Sequence, residues 1–344
     1  MKKFKLILIC TIVTIFLQQL AFLYVENIYI SRDDNIEAVE VEENDEEENE
    51  TITLKDNAEN INVSTDGLYV AYNKGNNLLV YNSEDDSVND LSSKLEGQVV
   101  SYKWTDGSKM YIIKRVSEGD GNYFKATLYD AKEKEFKDLI DYDKNDVKIA
   151  IENKNDVIGD FTFSTASAVM YIKVNKSNGN SDLYMCDTMN KLKKVRKNKE
   201  IGDIELPTNL GKCIMTLSGV ITILDGNDIP IPEGINPRIL GSSLKDKTNY
   251  IYIGNEENGK ITKILYKQLD STGEWNTISL KEPVLKSDIK VTKRGNIYVN
   301  YSNEKLVLNV DTEKEFKYKG EFVQYYADGF ISKQDNDLIK TPIS

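Results

Sequence analysis

Short apolar runs alternate with polar turns along most of the chain, from residue 51 to its end. The runs are rich in Val, Ile and Tyr, and clusters of Asp, Asn, Gly and Ser separate them at intervals of about eight to twelve residues, a spacing typical of all-β domains. No stretch in this region has the periodicity of a long amphipathic helix. The pattern therefore predicts many short antiparallel strands joined by tight turns.

These predicted strands recur in groups of four, with a period of about 35 to 45 residues. Residues 61–93 divide into four segments, separated by polar turns such as Gly75-Asn76-Asn77, and residues 99–139 repeat that order. Four further units with the same cadence are found at 161–195, 201–233, 237–280 and 288–319. Repeats of this length and content predict an all-β fold, a β-propeller of four-stranded blades.

The last part of the chain supplies only three strand candidates, within residues 322–343. The tract TITLK at 51–55 could provide the missing fourth strand, because a strand from one terminus can close a propeller ring by joining the blade of the other. We therefore predict a seven-bladed propeller over residues 51–344. Six or eight blades are the alternatives, since residues 140–157, with the run VKIAI, fit no unit.

The first thirty residues resemble a membrane-targeting segment. Lys2, Lys3 and Lys5 precede an apolar run from Leu6 to Val25, whose twenty residues match a hydrocarbon core of about 30 Å as a helix. Basic residues before the run and acidic residues after it place the N-terminus inside. The sequence predicts a single transmembrane helix within residues 1–30 at the cell membrane, with the following domain outside the cytoplasm.

A cleaved signal peptide is the alternative interpretation of residues 1–30 and would give a secreted protein. Its cleavage site should have small residues spaced A-x-A, but Ala21 has Gln19 two positions before it. Lipid attachment at Cys10 is not expected either, because Ile9 stands where a small residue is needed. The uncleaved anchor is therefore favoured.

Residues 31–50 form an acidic linker. Twelve acidic and four basic residues within positions 1–50 account for a net −8 of the total charge of −12. Like charges at this density repel one another and resist burial, so we expect an extended, solvated spacer. A calcium-binding or partner-binding tail is the alternative, although the Asp/Asn-Gly spacing of a calcium loop is missing.

The chemistry available to the chain is narrow, because it contains no histidine. This composition excludes Ser/His/Asp and Cys/His nucleophilic sites and zinc sites with histidine ligands. The sequence also lacks G-x-S-x-G, Walker and G-x-G-x-x-G motifs, so we predict no enzyme activity, no cofactor and no metal. Cys186 and Cys213 lie in apolar runs and are interpreted as structural thiols, with a single bridge between strands as the alternative.

Two repeats carry a family resemblance, in the strings INVSTDGLYVAYNKGNNLLVYNSED and SYKWTDGSKMYIIKRV. They resemble the repeats of TolB-like β-propellers, related to the propeller of dipeptidyl peptidase IV-type proteins, in which a strand leads into a Ser-Pro-Asp-Gly-like turn. The matching turn residues are Asp66, Gly67, Asp106 and Gly107. Glycine tolerates positive φ and aspartate accepts backbone N–H bonds, so these residues are predicted to have a structural role.

A basic segment stands out against the acidic composition, with six cations in nine residues: Lys191, Lys193, Lys194, Arg196, Lys197 and Lys199. The favoured interpretation is an exposed edge strand whose lysines prevent pairing with other sheets. The alternative is contact with an anionic polymer or lipid headgroup. Nucleic-acid binding is not expected. Trp104 and Trp275 are predicted to pack between blades, with sugar stacking as their alternative role.

The predicted function is that of a membrane-tethered, extracytoplasmic β-propeller that acts as a non-enzymatic interaction or scaffold module of the bacterial cell envelope. Its expected partners are the membrane, through residues 6–25, and an envelope protein or polymer. The alternative is a carbohydrate-binding or carbohydrate-cleaving propeller that uses Asp and Glu side chains.

Overall fold

The computed structural model describes residues 18–19, 50–54, 58–105 and 107–343. The predicted anchor, apart from two residues, and the acidic linker, apart from Glu50, lie outside these described residues. Within the described part of the chain, no helix has the length and apolar character needed to cross a membrane. All described strands belong to one compact unit, Asn49–Ser344.

The strands form seven antiparallel sheets, and each sheet is one blade of a propeller. The N-terminal strand is β1 (Thr51–Thr53). Blade 1 contains β2 (Glu59–Val63), β3 (Tyr69–Lys74), β4 (Asn77–Asn82) and β5 (Ser87–Asp90). Blade 2 contains β6 (Gln98–Trp104), β7 (Lys109–Glu118), β8 (Gly121–Asp130), β9 (Glu135–Asp138) and β10 (Lys148–Ala150). Blade 3 contains β11 (Val157–Ser164), β12 (Val169–Asn175), β13 (Ser181–Cys186) and β14 (Leu192–Lys199).

The second half of the ring repeats this order. Blade 4 contains β15 (Ile201–Glu205), β16 (Ile214–Leu217), β17 (Val220–Ile223) and β18 (Asp228–Ile229). Blade 5 contains β19 (Pro237–Lys245), β20 (Thr248–Glu257), β21 (Lys260–Gln268) and β22 (Asn276–Val284). A 3₁₀ turn, Lys286–Asp288, leads into blade 6, with β23 (Ile289–Val291), β24 (Ile297–Tyr301), β25 (Leu306–Asn309) and β26 (Glu315–Lys317). Blade 7 joins β27 (Glu321–Tyr326), β28 (Gly329–Gln334) and β29 (Asp337–Pro342) to β1.

The seventh blade closes the ring with strands from both ends of the propeller. β1 pairs antiparallel with β29, with Thr51 opposite Ile339 and Thr53 opposite Asp337. Ile52 is buried, and the carboxylate of Glu50 accepts a hydrogen bond from the side chain of Lys340. The strand within TITLK therefore covers the outer edge of the last blade without a covalent link.

Blade 2 contains the segment that fits no predicted unit. β7 and β8 each have ten residues, whereas β9 has four and covers only one half of β8. β10 covers the other half, with Lys148 opposite Lys125, so the outer edge of blade 2 consists of two short strands in succession. The run VKIAI thus extends blade 2, and the propeller has seven blades.

The core of the propeller is divided into seven hydrophobic clusters, one between each pair of neighbouring blades. In the cluster between blades 1 and 2, for example, Tyr69 and Leu78 pack with Met110 and Tyr129. Each blade thus buries both faces of its sheet, which explains why its middle strands are rich in consecutive apolar residues.

The first strand of each blade lies innermost. First strands of neighbouring blades contact one another around the ring, for example β11 with β15, β15 with β19, and β2 with β27 across the chain ends. These strands line the central channel of the propeller. Because all first strands run in the same sense, the turns between first and second strands emerge on one face of the disc.

Candidate functional site

The central channel opens on that face into a cavity of about 860 Å³, which we call the mouth. Five of the seven blades contribute to its walls. They are Asn62, Val63 and Thr65 of blade 1, Lys103 and Trp104 of blade 2, Leu240 of blade 5, residues 289–294, Asn296 and Tyr298 of blade 6, and Tyr325, Tyr326, Ala327, Asp328 and Ile343 of blade 7. Four cations, Lys103, Lys290, Lys293 and Arg294, outnumber the one carboxylate among these described residues.

A tight turn after β23 places two of the cations at the rim. The Thr292 N–H donates to the carbonyl of Asn296 at 2.9 Å, and Gly295 has φ +93°. A β-carbon at position 295 would come within 2.8 Å of the Tyr252 hydroxyl, so the turn requires glycine. Lys293 and Arg294 are consequently held exposed at the opening of the channel.

Lys290 lies deeper in the mouth and is partly buried. Its ammonium donates to the carbonyl oxygens of Tyr326 and Ala327, the latter at 2.9 Å, and lies 5.8 Å from the centre of the Tyr325 ring. Burial lowers the pKa of Lys290 to about 8, and the charge of Asp328 only partly offsets this effect. Lys290 is therefore a cation that carbonyl oxygens position and that no carboxylate of the described residues fully neutralises.

Tyrosine rings form much of the remaining wall. The Tyr325 hydroxyl donates to the Asp288 carbonyl at 3.1 Å, and burial raises the pKa of Tyr325 well above its ordinary value. Trp104 stacks on Tyr69 with ring centres 5.9 Å apart and donates its indole N–H to the Asn62 carbonyl at 2.9 Å. The mouth thus combines cations with neutral aromatic surface.

Ion pairs connect the inner strands on the other side of the channel. Asp203 of β15 lies 2.8 Å from Arg238 Nε and 2.7 Å from Lys286 Nζ, and Asp160 of β11 lies 2.6 Å from Lys103 Nζ. Burial opposes ionisation of Asp203, but its hydrogen bonds with Arg238 and the charge of Lys286 outweigh it and lower its pKa. These carboxylates hold neighbouring blades together.

Glu205 of β15 lies near this ionic group. Burial raises the pKa of its carboxyl group. The Ser242 hydroxyl donates to its Oε1 at 2.6 Å. A carboxyl with a raised pKa can act as a proton donor. Among the described residues, no three His, Cys, Asp or Glu side chains form a group that could hold a metal ion.

The Asp-Gly turns singled out in the sequence lie beside the mouth. Asp66 accepts hydrogen bonds from the Ser64 hydroxyl at 2.5 Å and the Leu68 N–H at 3.1 Å, and Gly67 has φ +73°. Gly107 has φ +58°, while Asp106 lies outside the described residues. The Thr65 hydroxyl donates to the carbonyl of Thr105 at 2.5 Å, which joins the two turns.

The basic segment lies away from the mouth, in β14, the outer strand of blade 3. Lys194 lies 2.8 Å from the buried carboxylate of Asp182, and Arg196 lies 3.3 Å from Asp225. The other four cations are exposed: Lys191, Lys193, Lys197 and Lys199. Contact of this segment with a polyanion stays a prediction.

Three residues of the mouth were not predicted from the sequence: Lys290, Lys293 and Tyr325. Each stands in a short strand or turn of ordinary composition, and only the ring brings blades 6 and 7 beside blades 1 and 2. Their positions within the repeats could have indicated the mouth. Most residues that line it lie in the last half of a first strand or in the turn that follows that strand. Marking those positions in every unit would have shown the excess of cations.

No protein-family model and no curated protein matches this sequence. Many solved structures share its fold. A chain in the crystal structure of a mitotic checkpoint complex superposes with a TM-score of 0.52 at 13% identity, over 86% of this chain and 95% of that one. Hsv2 of Kluyvelomyces marxianus gives 0.48 at 13% identity, over 80% and 87%.

Acylaminoacyl peptidase of Pyrococcus horikoshii gives a TM-score of 0.43 at 12% identity, over 74% of this chain and 45% of the peptidase. This chain therefore spans less than half of that enzyme's length. Identities this low concern the fold alone. The chain is a diverged β-propeller.

Proposed function

We propose that the chain is a protein-interaction module that binds an acidic segment of a partner protein at the mouth. The observation that carries this proposal is the combination of Lys290, Lys293 and Arg294 with tyrosine and tryptophan surface in one opening of about 860 Å³. Aromatic residues and arginine are enriched at protein interfaces, and excess positive charge favours an acidic partner. We also propose that the propeller is of the TolB-like type, because the turns at Asp66 and Gly107 resemble those of TolB-like repeats.

A binding role fits this opening better than carbohydrate cleavage does. Glycoside hydrolysis uses two facing carboxyl groups, whereas the described walls of the mouth contain one, Asp328. The rim cations are exposed, and catalysis needs groups with tuned pKa values that converge in a closed pocket. We therefore propose that the propeller does not catalyse a reaction.

We further propose that the propeller lies outside the cytoplasm as a component of the cell envelope. The apolar run Leu6–Val25 would tether it to the membrane. The support for this proposal is the order of basic, apolar and acidic segments. Fractionation should leave the full-length chain in the membrane, and protease added to intact protoplasts should cut between that run and the propeller. A shorter chain released into the medium would instead favour a cleaved signal peptide.

Photo-crosslinking from defined positions tests the docking proposal. A photoreactive amino acid replaces Asn296, an exposed residue of the mouth, or Asn76, an exposed residue in a turn on the opposite face. In cells that contain the full-length chain, position 296 should give a discrete protein adduct and position 76 should not. No adduct from position 296, or equal adducts from both positions, would contradict docking at the mouth.

A further inference from the structure

A second cavity, of about 720 Å³, lies between blades 4 and 5, and we call it the interblade cleft. It exists because β18, the outer strand of blade 4, has only two residues. The chain that follows β18 and the loop between β21 and β22 therefore border a gap that a longer strand would fill. The proposed docking at the mouth makes no use of this cleft.

The inner wall of the cleft is apolar. Ile229 and Leu269 belong to the hydrophobic cluster between the two blades, and Ile231 and Trp275 pack against that cluster. The Trp275 indole N–H donates to the Pro230 carbonyl at 2.9 Å, so the ring is tied to blade 4 and its only hydrogen-bond donor is already used. The wall therefore offers a fixed surface for an apolar group.

Lys267 of β21 lies in this apolar setting with only 6% of its surface exposed, whereas Lys212, the other cation that lines the cleft, is exposed. Its ammonium donates to the Gly273 carbonyl at 2.9 Å and lies 5.7 Å from the centre of the Trp275 ring. An ammonium has three N–H donors, so the single hydrogen bond that it makes with the described residues leaves donors for another acceptor.

No described carboxylate lies within 4.0 Å of the Lys267 ammonium. The acidic residues of the cleft, Asp228 and Asp270, are exposed at its rim. Burial of a charge is costly unless an opposite charge or strong hydrogen bonds compensate for it. An anion that enters the cleft would supply the compensation that the described residues do not.

We infer that the interblade cleft is a binding site for a small organic acid with an aromatic or branched aliphatic body. The carboxylate accepts a hydrogen bond from Lys267, and the body packs on Trp275, Ile229 and Ile231. The cavity volume falls within the range of about 300 to 1000 Å³ that is usual for small-ligand sites. Charge complementarity selects an acid over a neutral molecule of the same shape.

Two probes that differ only in charge test this inference. The full-length chain is titrated with 3-phenylpropionate and with its neutral analogue 3-phenylpropionamide, and binding is measured by calorimetry and by saturation-transfer NMR. We expect saturable binding of the acid and an affinity for the amide lower by about tenfold or more, because a hydrogen bond to a charged group is lost. Equal affinities, or no saturable binding of the acid, would overturn the inference.

Variants then locate the site. Lys267→Met removes the ammonium and should abolish the preference for the acid, whereas Lys260→Met, which removes an exposed ammonium at the other end of the same strand, should retain it. Ile231→Trp fills the cleft without altering Lys267 and should abolish binding even if Lys267→Met does not fold. Arg294→Ser, which alters the mouth and not the cleft, should leave the affinity for the acid unchanged. An acid preference that survives in Ile231→Trp, or that disappears in Arg294→Ser, would assign the binding to another site.

Discussion

Single residues in this propeller differ in how strongly burial constrains their chemistry. Cys186 and Cys213 are almost completely buried and form no disulfide. Burial raises the pKa of Cys186 to about 11 and that of Cys213 to about 12. Their thiols therefore behave as small apolar side chains, in agreement with the favoured interpretation of the sequence, because the reactive thiolate is scarce at neutral pH.

Thiol labelling tests this view. In a Cys10→Ser variant, we expect neither remaining thiol to react with Ellman's reagent at pH 8 while the protein is folded, and both to react after denaturation in urea. Rapid labelling of one thiol in the folded protein would show that its interblade cluster opens, and would contradict the packing described between blades 2 and 3 or between blades 3 and 4.

Lys290 should give the propeller a distinct pH dependence. Its pKa is about 8 in the folded chain and near 10.5 when unfolded, so between these values the unfolded chain binds more protons. The free energy of unfolding contributed by Lys290 should therefore rise as the pH increases from 8 to about 10. Urea denaturation measures the free energy of unfolding of the native protein and of Lys290→Met. The value for the native protein minus that for the variant should increase over this pH range. A difference that does not change with pH would contradict the burial of this ammonium.

Among the structural elements, β1 has the largest influence for its length, because three residues complete blade 7. Ile52 packs with Val70 and Leu338 in the cluster between blades 7 and 1. Its side chain thus connects the N-terminal strand to the first and last blades of the ring, and loss of that packing should weaken the closure of the whole propeller.

We expect Ile52→Ala to reduce the free energy of unfolding by about 2 to 5 kcal/mol, the range for truncation of a buried aliphatic side chain. The control is Thr51→Ala, an exposed position of the same strand, which should reduce it by less than Ile52→Ala does because little buried apolar surface is lost. Urea denaturation measures both. An Ile52→Ala variant as stable as the control would show that β1 does not hold the ring closed.

Strand order was predictable because turns are local. The Asp66-Gly67 pair and the Gly75 turn are encoded by neighbouring residues, and they divide the chain into units without knowledge of the ring. β10 was not predictable as part of blade 2, because its pairing of Lys148 with Lys125 skips β9 and depends on the length of β8. Which segment pairs with the outer edge of β8 is decided by tertiary packing and not by neighbouring residues.

For the molecule as a whole, the ring distributes charge unevenly around its channel. Asp160 of blade 3 and Asp203 of blade 4 pair with Lys103, Arg238 and Lys286, whereas the cations at the mouth outnumber its described carboxylates. The contacts that form the mouth are not visible in any one repeat of the sequence, since residues 62–65 and 325–328 meet only after closure. A rigid disc with one basic, aromatic opening suits binding of an acidic partner segment.

The most direct test of docking at the mouth compares two charge reversals of equal size. Lys293→Glu/Arg294→Glu alters the rim of the mouth, and Lys193→Glu/Lys197→Glu alters exposed cations of β14 on the outer edge of blade 3. The measurement is the dissociation constant of the partner crosslinked through position 296. We predict that the mouth reversal weakens binding by about tenfold or more and that the edge reversal leaves it within about twofold. Equal effects of the two reversals, or a loss of binding with the edge reversal alone, would contradict docking at the mouth.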